Sequence, residues 1–324
     1  MGKLQVYKSL DEKQFLFNSD GQYSDVKYFR IDTAYEFNDW YNEMTAPAVE
    51  QSNGNGQFNV FFRGVNEAKY KLYNSAQRFW IQNNLMQLES LSQPLPYLQM
   101  IQNMVDRAKE VKLLQQVFKY YGITPEQMDF PLLSILQHYK APTPLMDWTY
   151  DLNIALFFAI MDVRRSGEDG VIDDYISIYK LDKNVHSSFL ENNLNYVSAN
   201  VFPQVSWLGG ILGSKNSLIY ISDFEVSEER KIKPITTYYN LNILAQNGIF
   251  VFNPLEDKPL EEFPKFHHPT AGDNRIFCYN ICKDLAELIK YRINKAGVSF
   301  DFLFPNLEQY SQRILDDYLK FVVG

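Results

Sequence analysis

The spacing of apolar residues predicts that helices dominate the first half of the chain. Over residues 33–44 large apolar side chains recur at helical spacing, and Asp32 or Thr33 can cap the predicted helix. The same spacing over residues 97–120 predicts one long amphipathic helix. Shorter helices are predicted over residues 75–86, 131–139 and 152–164. The last of these is apolar almost all round its first three turns, so we expect it to be buried on every side.

Strand patterns dominate the second half. Strands are predicted over residues 175–181, 217–221, 243–253 and 275–281, and over residues 26–31 and 58–62 in the first half. Helices follow over residues 283–295, ended by Gly297, and over residues 307–322. Residues 140–150, which contain two prolines, are predicted to form a loop against the centre of the fold.

This order of elements predicts an α+β fold, because helices and strands are segregated along the chain. We expect a loose leader over residues 1–25 and a single domain over residues 26–322. Its mixed or antiparallel sheet should come mainly from the second half, with the strand at residues 58–62 added to it.

Composition and charge narrow the classes of function. The 324 residues are 46% hydrophobic, which suits a globular core, and carry a net charge of −8. That charge argues against a broad nucleic-acid surface but leaves room for a local basic pocket. The sequence contains no apolar run long enough to cross a membrane, so we expect a cytoplasmic protein.

A metal site is not expected. Cys278 and Cys282 have no histidine beside them and do not match a zinc-binding pattern, so they are interpreted as reduced thiols. The adjacent His267 and His268 would point in opposite directions on an extended segment.

The stretch over residues 137–159, QHYKAPTPLMDWTYDLNIALFFA, is the first candidate for chemistry. It places Gln137, His138, Tyr139 and Asp147 on a proline-interrupted turn between two apolar helices, which would hold them rigidly. A histidine beside a carboxylate suits general-base catalysis near neutral pH. The alternative is that Asp147 caps the turn while His138 is a hydrogen-bonded core residue.

A second candidate is Arg63, which ends an apolar strand and is followed by Gly64. The arginine could be held by a carboxylate of the protein, or its guanidinium could grip a phosphate or carboxylate of a ligand. The glycine would let a ligand or another part of the backbone approach closely.

Five motifs together resemble the FRG domain family in order and spacing. They are Phe62-Arg63-Gly64, then Tyr70-Lys71-Leu72 with Ser75 and Arg78, then QHYKAPTPLMDWT with ALFFA, then Gln246-Asn247-Gly248-Ile249-Phe250, and Leu303-Phe304-Pro305-Asn306-Leu307. The chain departs from the family pattern at three positions. Lys140 stands where a glycine is usual, and Pro144 and Asn242 stand where arginines are usual.

The aromatic-Arg-Gly motif is also similar to the first strand of ADP-ribosyltransferases, in which such an arginine supports the phosphates or ribose of NAD. This second resemblance makes NAD a possible cofactor, and with the FRG-family motifs it implies a binding set of Arg63, Gly64, Arg78, Thr143, Gln246 and Gly248. The catalytic glutamate of those enzymes has no clear counterpart, since Glu256, Glu261 and Glu262 lie in a charged loop.

Two hypotheses follow from the sequence. In the first, the protein is a nucleotide-directed enzyme of bacterial stress or phage defence, in which Arg63 and Arg78 hold phosphate and His138 with Asp147 orients or deprotonates the acceptor. In the second, the same pocket is a non-catalytic module that binds a small anionic ligand or a protein partner. The test between them begins with whether Arg63 and His138 converge on one cleft.

Overall fold

The computed structural model of the chain describes residues 2–14, 26–46, 60–85, 97–120, 129–163, 171–182, 220–221, 224–226, 232–234, 241–253, 256–262, 276–306, 308, 311–312 and 314–318. His267, His268 and most of the strand predicted at residues 217–221 lie outside this part of the chain. Phe58 and Asn59, at the start of another predicted strand, lie outside it as well.

Helices cover most of the described first half. Their bounds are α1 Leu10–Gln14, α2 Ala34–Thr45, α3 Ser75–Gln82, α4 Tyr97–Lys109, α5 Lys112–Tyr120, α6 Asp129–His138, α7 Leu152–Ile160, α8 Leu241–Ala245, α9 Ala286–Lys295 and α10 Phe300–Leu303. Side chains cap several of them. Thr33 accepts from the Glu36 amide while Glu36 bonds back to Thr33, and Asp151 accepts from the Asn153 amide at the start of α7.

The strands are β1 Val26–Ile31, β2 Val60–Val65, β3 Leu145–Thr149, β4 Tyr175–Asp182, β5 Tyr220–Ile221, β6 Phe224–Val226, β7 Ile232–Pro234, β8 Gly248–Phe252 and β9 Ile276–Cys282. In the described part of the chain, seven of them form one sheet in the order β1-β9-β4-β2-β3-β8-β5, and β6 pairs with β7. The β1–β9 pair is parallel and the other pairs of the large sheet are antiparallel. The predicted α+β class with a mixed sheet is therefore confirmed.

Both faces of the sheet are covered by helices. Phe61 and Tyr179 pack into a core cluster with α3, α4, α5 and α6, whereas their neighbours Phe62 and Ile178 pack with α2, α7 and α9. Because successive side chains of a strand point to opposite faces, the central strands are buried on both sides. As predicted, α7 has little exposed surface, with six of its nine residues buried.

Three predicted elements are wrong in type or extent. Residues 140–150 were predicted as a loop but contain β3, which begins directly after Pro144, where the missing amide of proline breaks no ladder bond. The single helix over residues 97–120 is two helices, because a turn at Glu110 and Val111 separates α4 from α5 without a glycine or proline to mark it. Residues 243–253 contain the end of α8 before β8, since short apolar runs do not distinguish helix from strand.

The N-terminal residues are packed rather than loose. Tyr7 and Lys13 are 1% and 0% exposed, so the described residues 2–14 lie against the domain. The domain boundary at residue 26 stays a prediction. At the other end of the chain, residues 308, 311–312 and 314–318 are helical, and the remainder of the predicted closing helix lies outside the described residues.

Candidate functional site

A cleft of about 910 Å³ lies where β2 and β3 diverge. Among the described residues these two strands are in register through one pair, Phe62 with Thr149, whereas β2 and β4 pair at six positions. The cleft is lined by seven of the residues predicted to form the site: Arg63, Gly64, Arg78, Gln137, His138, Asp147 and Gln246. Arg63 and His138 therefore face one cavity.

The Arg63 side chain reaches from β2 to β3 at the point where the two strands separate. Its Nη1 donates to the carbonyl oxygen of Asp147, which holds the guanidinium at the cleft wall. Its Nε is buried and has no hydrogen-bond partner among the described residues. Burial lowers the pKa of Arg63, and the Asp147 carboxylate partly offsets this, but an arginine remains charged at neutral pH. A buried cationic donor without a partner favours an anionic or oxygen-rich ligand.

Arg78 brings a second guanidinium to the same cleft. It lies in the first turn of α3, which is capped by Asn74, and its Nη1 donates to the Tyr73 carbonyl oxygen at 2.5 Å. Burial lowers the pKa of Arg78, and the nearby charge of Arg63 lowers it further. Two like charges in one cleft repel each other, so an anion bound between them would be stabilised by both.

Gln137 and Thr143 hold the Asp147 side chain in place. Gln137 Nε2 donates to Asp147 Oδ2 at 2.8 Å, while its Oε1 accepts from Thr143 Oγ1. Ser75 Oγ accepts from the Thr143 amide at 2.9 Å and lies 3.2 Å from Gln137 Oε1. Thr143 is fully buried and is not among the residues lining the cleft. Its position in the structure is therefore that of a support for Gln137.

His138 lies at the C-terminal end of α6 and faces Asn242. The amide Nδ2 of Asn242 lies 3.3 Å from His138 Nδ1. Burial lowers the pKa of His138, and the Asp147 carboxylate raises it in part, so the imidazole is neutral at neutral pH. A neutral imidazole can accept a proton. Asn242 is the position at which the family pattern has an arginine, so here an amide stands beside the histidine.

Tyr139 is directed away from the cleft. Its side chain is 76% exposed and its ring meets the His138 ring edge-on, with centroids 4.8 Å apart. It is not among the residues that line the cleft.

Gly64 allows a close contact between β2 and α7. A Cβ on this residue would lie 1.9 Å from the Ala155 carbonyl oxygen and 2.8 Å from the Ala159 amide nitrogen. Gly248 lies against Ile243 in a similar but looser way, with the nearest atom 3.2 Å from a Cβ at that position, and it does not line the cleft. The structure thus gives both glycines a packing role between strand and helix.

Gln246 connects three parts of the site. Its carbonyl oxygen accepts from Thr149 Oγ1 at 2.7 Å, and its Nε2 donates to the Leu303 carbonyl oxygen at 3.1 Å. The turn that follows places Asn247 at a φ of 43°. Gln246 therefore joins β3 and the loop before β8 to α10.

Lys140 occupies a backbone position that suits glycine. Its φ is 64°, its amide bonds to the Gln137 carbonyl, and the Ala141 amide bonds to the Leu136 carbonyl at 2.9 Å. These two bonds form a Schellman motif with Lys140 at the left-handed position. The usual family glycine at this position has a backbone reason, independent of any ligand.

The glutamates after β8 have structural partners. Glu261 is buried and accepts from the Leu72 amide at 2.9 Å and from Tyr7 Oη at 3.0 Å. Glu262 forms an ion pair with Lys71. The structure therefore gives neither residue the exposed, cleft-facing position of a catalytic glutamate.

Sequence reasoning missed part of the cleft wall. Lys71 and Trp148 line it, and so do Leu4, Gln5 and Val6. Lys71 and Trp148 lie within the quoted family motifs, so their position was available as a signal. The three N-terminal residues gave none, because a five-residue helix and a single bridge leave no periodic pattern.

The comparisons agree with the family suggested by the motifs. Residues 58–168 match the model of the FRG domain family, which is the family that the five motifs resemble. No curated protein and no solved structure matches the chain. Within the described residues, no helix is both long and apolar enough to span a membrane, and no cluster of three potential metal ligands is found.

Proposed function

We propose that the protein is a nucleotide-directed enzyme, with NAD as the leading substrate, that catalyses transfer or hydrolysis in bacterial stress or phage defence. The observation that carries the proposal is the convergence of two guanidiniums and a neutral histidine on one cleft. The first two groups suit a phosphate, and the third suits proton transfer.

Arg63 and Arg78 are the proposed phosphate-binding pair. Each has one Nη1 hydrogen bond to a backbone carbonyl, which orients the guanidinium without neutralising it. The unpartnered Nε of Arg63 is then available to a ligand oxygen. The cleft is large enough for a nucleotide, since ligand sites commonly measure several hundred Å³.

His138 and Asp147 are the proposed pair for the acceptor. Bound NAD would supply a ribosyl carbon with nicotinamide as the leaving group. His138, neutral because burial lowers its pKa, would take the proton of the attacking hydroxyl or water. Asp147, fixed by Gln137, would stabilise the resulting imidazolium and the positive charge that develops on the sugar. The role predicted for Tyr139 is not included, since its side chain lies outside the cleft.

The test combines binding with turnover. Thermal shift with NAD, ADP-ribose and AMP should identify a ligand, and Arg63→Ala should weaken its binding by roughly 10- to 100-fold, the usual cost of losing a charged hydrogen bond. Arg30→Ala is the matched control, because Arg30 is exposed and pairs with Asp32. His138→Gln should retain binding and lose NAD turnover. Absence of a shift with every nucleotide would overturn the proposal.

A non-catalytic binding module is the second candidate. One observation that favours it is that Asp147 and Thr143 already bind both polar atoms of the Gln137 side chain. The other is that Asn242 stands where the family pattern has an arginine, which leaves less positive charge in the cleft. Under this alternative a small anionic ligand or a protein segment binds at Arg63, and no turnover is seen. Binding that depends on Arg63 but leaves NAD intact would favour it over the enzyme.

A further inference from the structure

The described N-terminal residues, Gly2–Gln14, form a segment that we term the N-terminal clamp, and its first part is a wall of the cleft. Leu4, Gln5 and Val6 line the cavity. These residues lie outside residues 58–168, the part of the chain that matches the family model. The wall is therefore an addition to the matched segment.

Backbone hydrogen bonds hold the clamp against residues 69–70, beside the cleft. Val6 pairs with Tyr70 in an antiparallel bridge, and the Tyr7 amide donates to the Lys69 carbonyl oxygen at 2.9 Å. Tyr7 is buried and its hydroxyl donates to Glu261 at 3.0 Å. The clamp is thus joined both to the chain after β2 and to the segment after β8.

Lys13 anchors the other end of the clamp. Its ammonium is fully buried and donates to the Ala68 carbonyl oxygen at 2.7 Å, to Ser177 Oγ at 2.7 Å and to Asn280 Oδ1 at 2.9 Å. The ring of Tyr179 lies 5.2 Å from the nitrogen. All three ammonium hydrogens therefore have acceptors, which favours an anchoring role over a nucleophilic one.

Gln5 is the polar group that the clamp presents to the cavity. Its Oε1 accepts from Lys71 Nζ at 3.1 Å, and the same nitrogen pairs with Glu262. Gln5 is exposed, so its amide nitrogen can reach a ligand while Lys71 orients its oxygen. This places an amide and a cation together on the wall that faces a bound molecule.

We propose that the N-terminal clamp determines which ligands the cleft accepts, with Gln5 as the specificity-determining contact and Lys13 as the residue that positions it. This inference rests on the proposed function, because it concerns the same cleft. The ligand class is a phosphate-bearing molecule that extends beyond the arginines and carries hydrogen-bonding groups, such as the ribose hydroxyls of ADP-ribose. Inorganic pyrophosphate has the phosphates that suit the arginines but has no ribose hydroxyls for Gln5 to bind.

The experiment compares these two probes in matched variants of the full chain. Gln5→Ala should weaken ADP-ribose by about 5- to 20-fold, the usual cost of one or two hydrogen bonds, and leave pyrophosphate unchanged. Gln14→Ala is the control, since Gln14 is an exposed glutamine of the same segment outside the cleft. Arg63→Ala should weaken both probes. Equal affinities of wild type and Gln5→Ala for ADP-ribose would overturn the inference while the proposed function stands.

Hydrogen exchange gives a reading that needs no ligand. Releasing the clamp with Lys13→Met should raise amide exchange about tenfold or more at residues 2–14 and also in β2, with no change in α9; Lys8→Met, at an exposed lysine, should do neither. A variant with Val6→Cys and Tyr70→Cys joins the bridge residues by a disulfide and should lower exchange at both sites until it is reduced. If neither probe binds the wild type, the proposed function fails. In that case the inference about the clamp also fails if Lys13→Met raises amide exchange only at residues 2–14 and not in β2.

Discussion

Two cations of this protein, the fully buried Lys13 and the half-buried Arg63, differ in how completely their donors are satisfied. The Lys13 ammonium is sealed from solvent and has three acceptors within 2.9 Å. Among the residues that the structure describes, the Arg63 guanidinium has one carbonyl partner and its Nε has none, and it faces a cleft. Satisfying a buried charge completely stabilises the fold, whereas leaving part of it unsatisfied beside a cavity prepares a binding site. The contrast therefore distinguishes a charge on α1 that the fold satisfies from a charge on β2 that faces the cleft.

The largest expected effect is the loss of Lys13. Lys13→Met should lower the free energy of unfolding by about 3–4 kcal/mol, because the Ala68 carbonyl oxygen loses its Lys13 donor in the core and Ser177 and Asn280 keep the bond between them but lose those from Lys13. Urea unfolding followed by circular dichroism would measure this. Lys8→Met, at an exposed lysine, should change stability by less than about 0.5 kcal/mol. If both variants changed the free energy of unfolding by similar amounts, Lys13 would not be a structural cation.

Glu261, the buried partner of the clamp, should make stability depend on pH. Burial raises its pKa from 4.5 to about 7, so the folded state binds a proton that the unfolded state releases between these values. Stability is then greatest below pH 4.5 for this group and falls by about 3 kcal/mol as the pH rises through 7.

Glu261→Gln should remove that decline, because an amide does not titrate between pH 4.5 and 7, and its oxygen can still accept from the Leu72 amide. Unfolding curves from pH 5 to pH 8 would show a flatter dependence than wild type. A parallel decline in the variant would mean that another group is responsible.

Lys140→Gly should stabilise the protein by about 1 kcal/mol. The residue has a φ of 64°, where a side chain is strained and glycine is not. Thermal unfolding would detect the gain, and Lys140→Ala, which keeps the strain, should not show it. Because Lys140 also lines the cleft, ligand binding measured in both variants would separate its charge from its backbone.

The smallest expected effect on stability is that of Arg63→Ala, and it gives the clearest contrast with Lys13→Met. Arg63→Ala should change the free energy of unfolding by less than about 1 kcal/mol, because the loss of the Asp147 carbonyl bond is offset by relief of desolvation and of repulsion from Arg78. Its effect on ligand binding should be far larger than that. Chemical denaturation of the variant would test this, and a loss comparable to that of Lys13→Met would make Arg63 a structural residue.

Much of the fold was available from the sequence, because it depends on local pattern. The spacing of Phe37, Trp40 and Tyr41 and the cap at Thr33 predicted α2, and α7 was predicted from its continuous apolar surface. β3 could not be predicted in this way, because five residues after a proline form a strand only where β8 is present to pair with them.

For the site, motif order indicated residues that the fold does bring together, Arg63, His138 and Asp147 among them. What it could not indicate was the side-chain direction of Tyr139 or the burial of Thr143, since both depend on tertiary packing. The cleft wall formed by Leu4, Gln5 and Val6 could not be predicted from the sequence for a different reason. Its position depends on Lys13 finding partners on β4 and β9, far along the chain.

The pairing of β1 with β9 has a consequence for synthesis of the protein. The pair joins residues 26–31 to residues 276–282. Lys13 likewise needs Asn280, far along the chain, as one of its three acceptors. Translation is vectorial, so β1 meets the partner strand that the described residues give it only after residues 276–282 have left the ribosome. The cleft, which needs Leu4 on one side and Phe304 on another, is therefore absent from the nascent chain. A ligand that needs the complete cleft can therefore bind only after residue 304 has been synthesised.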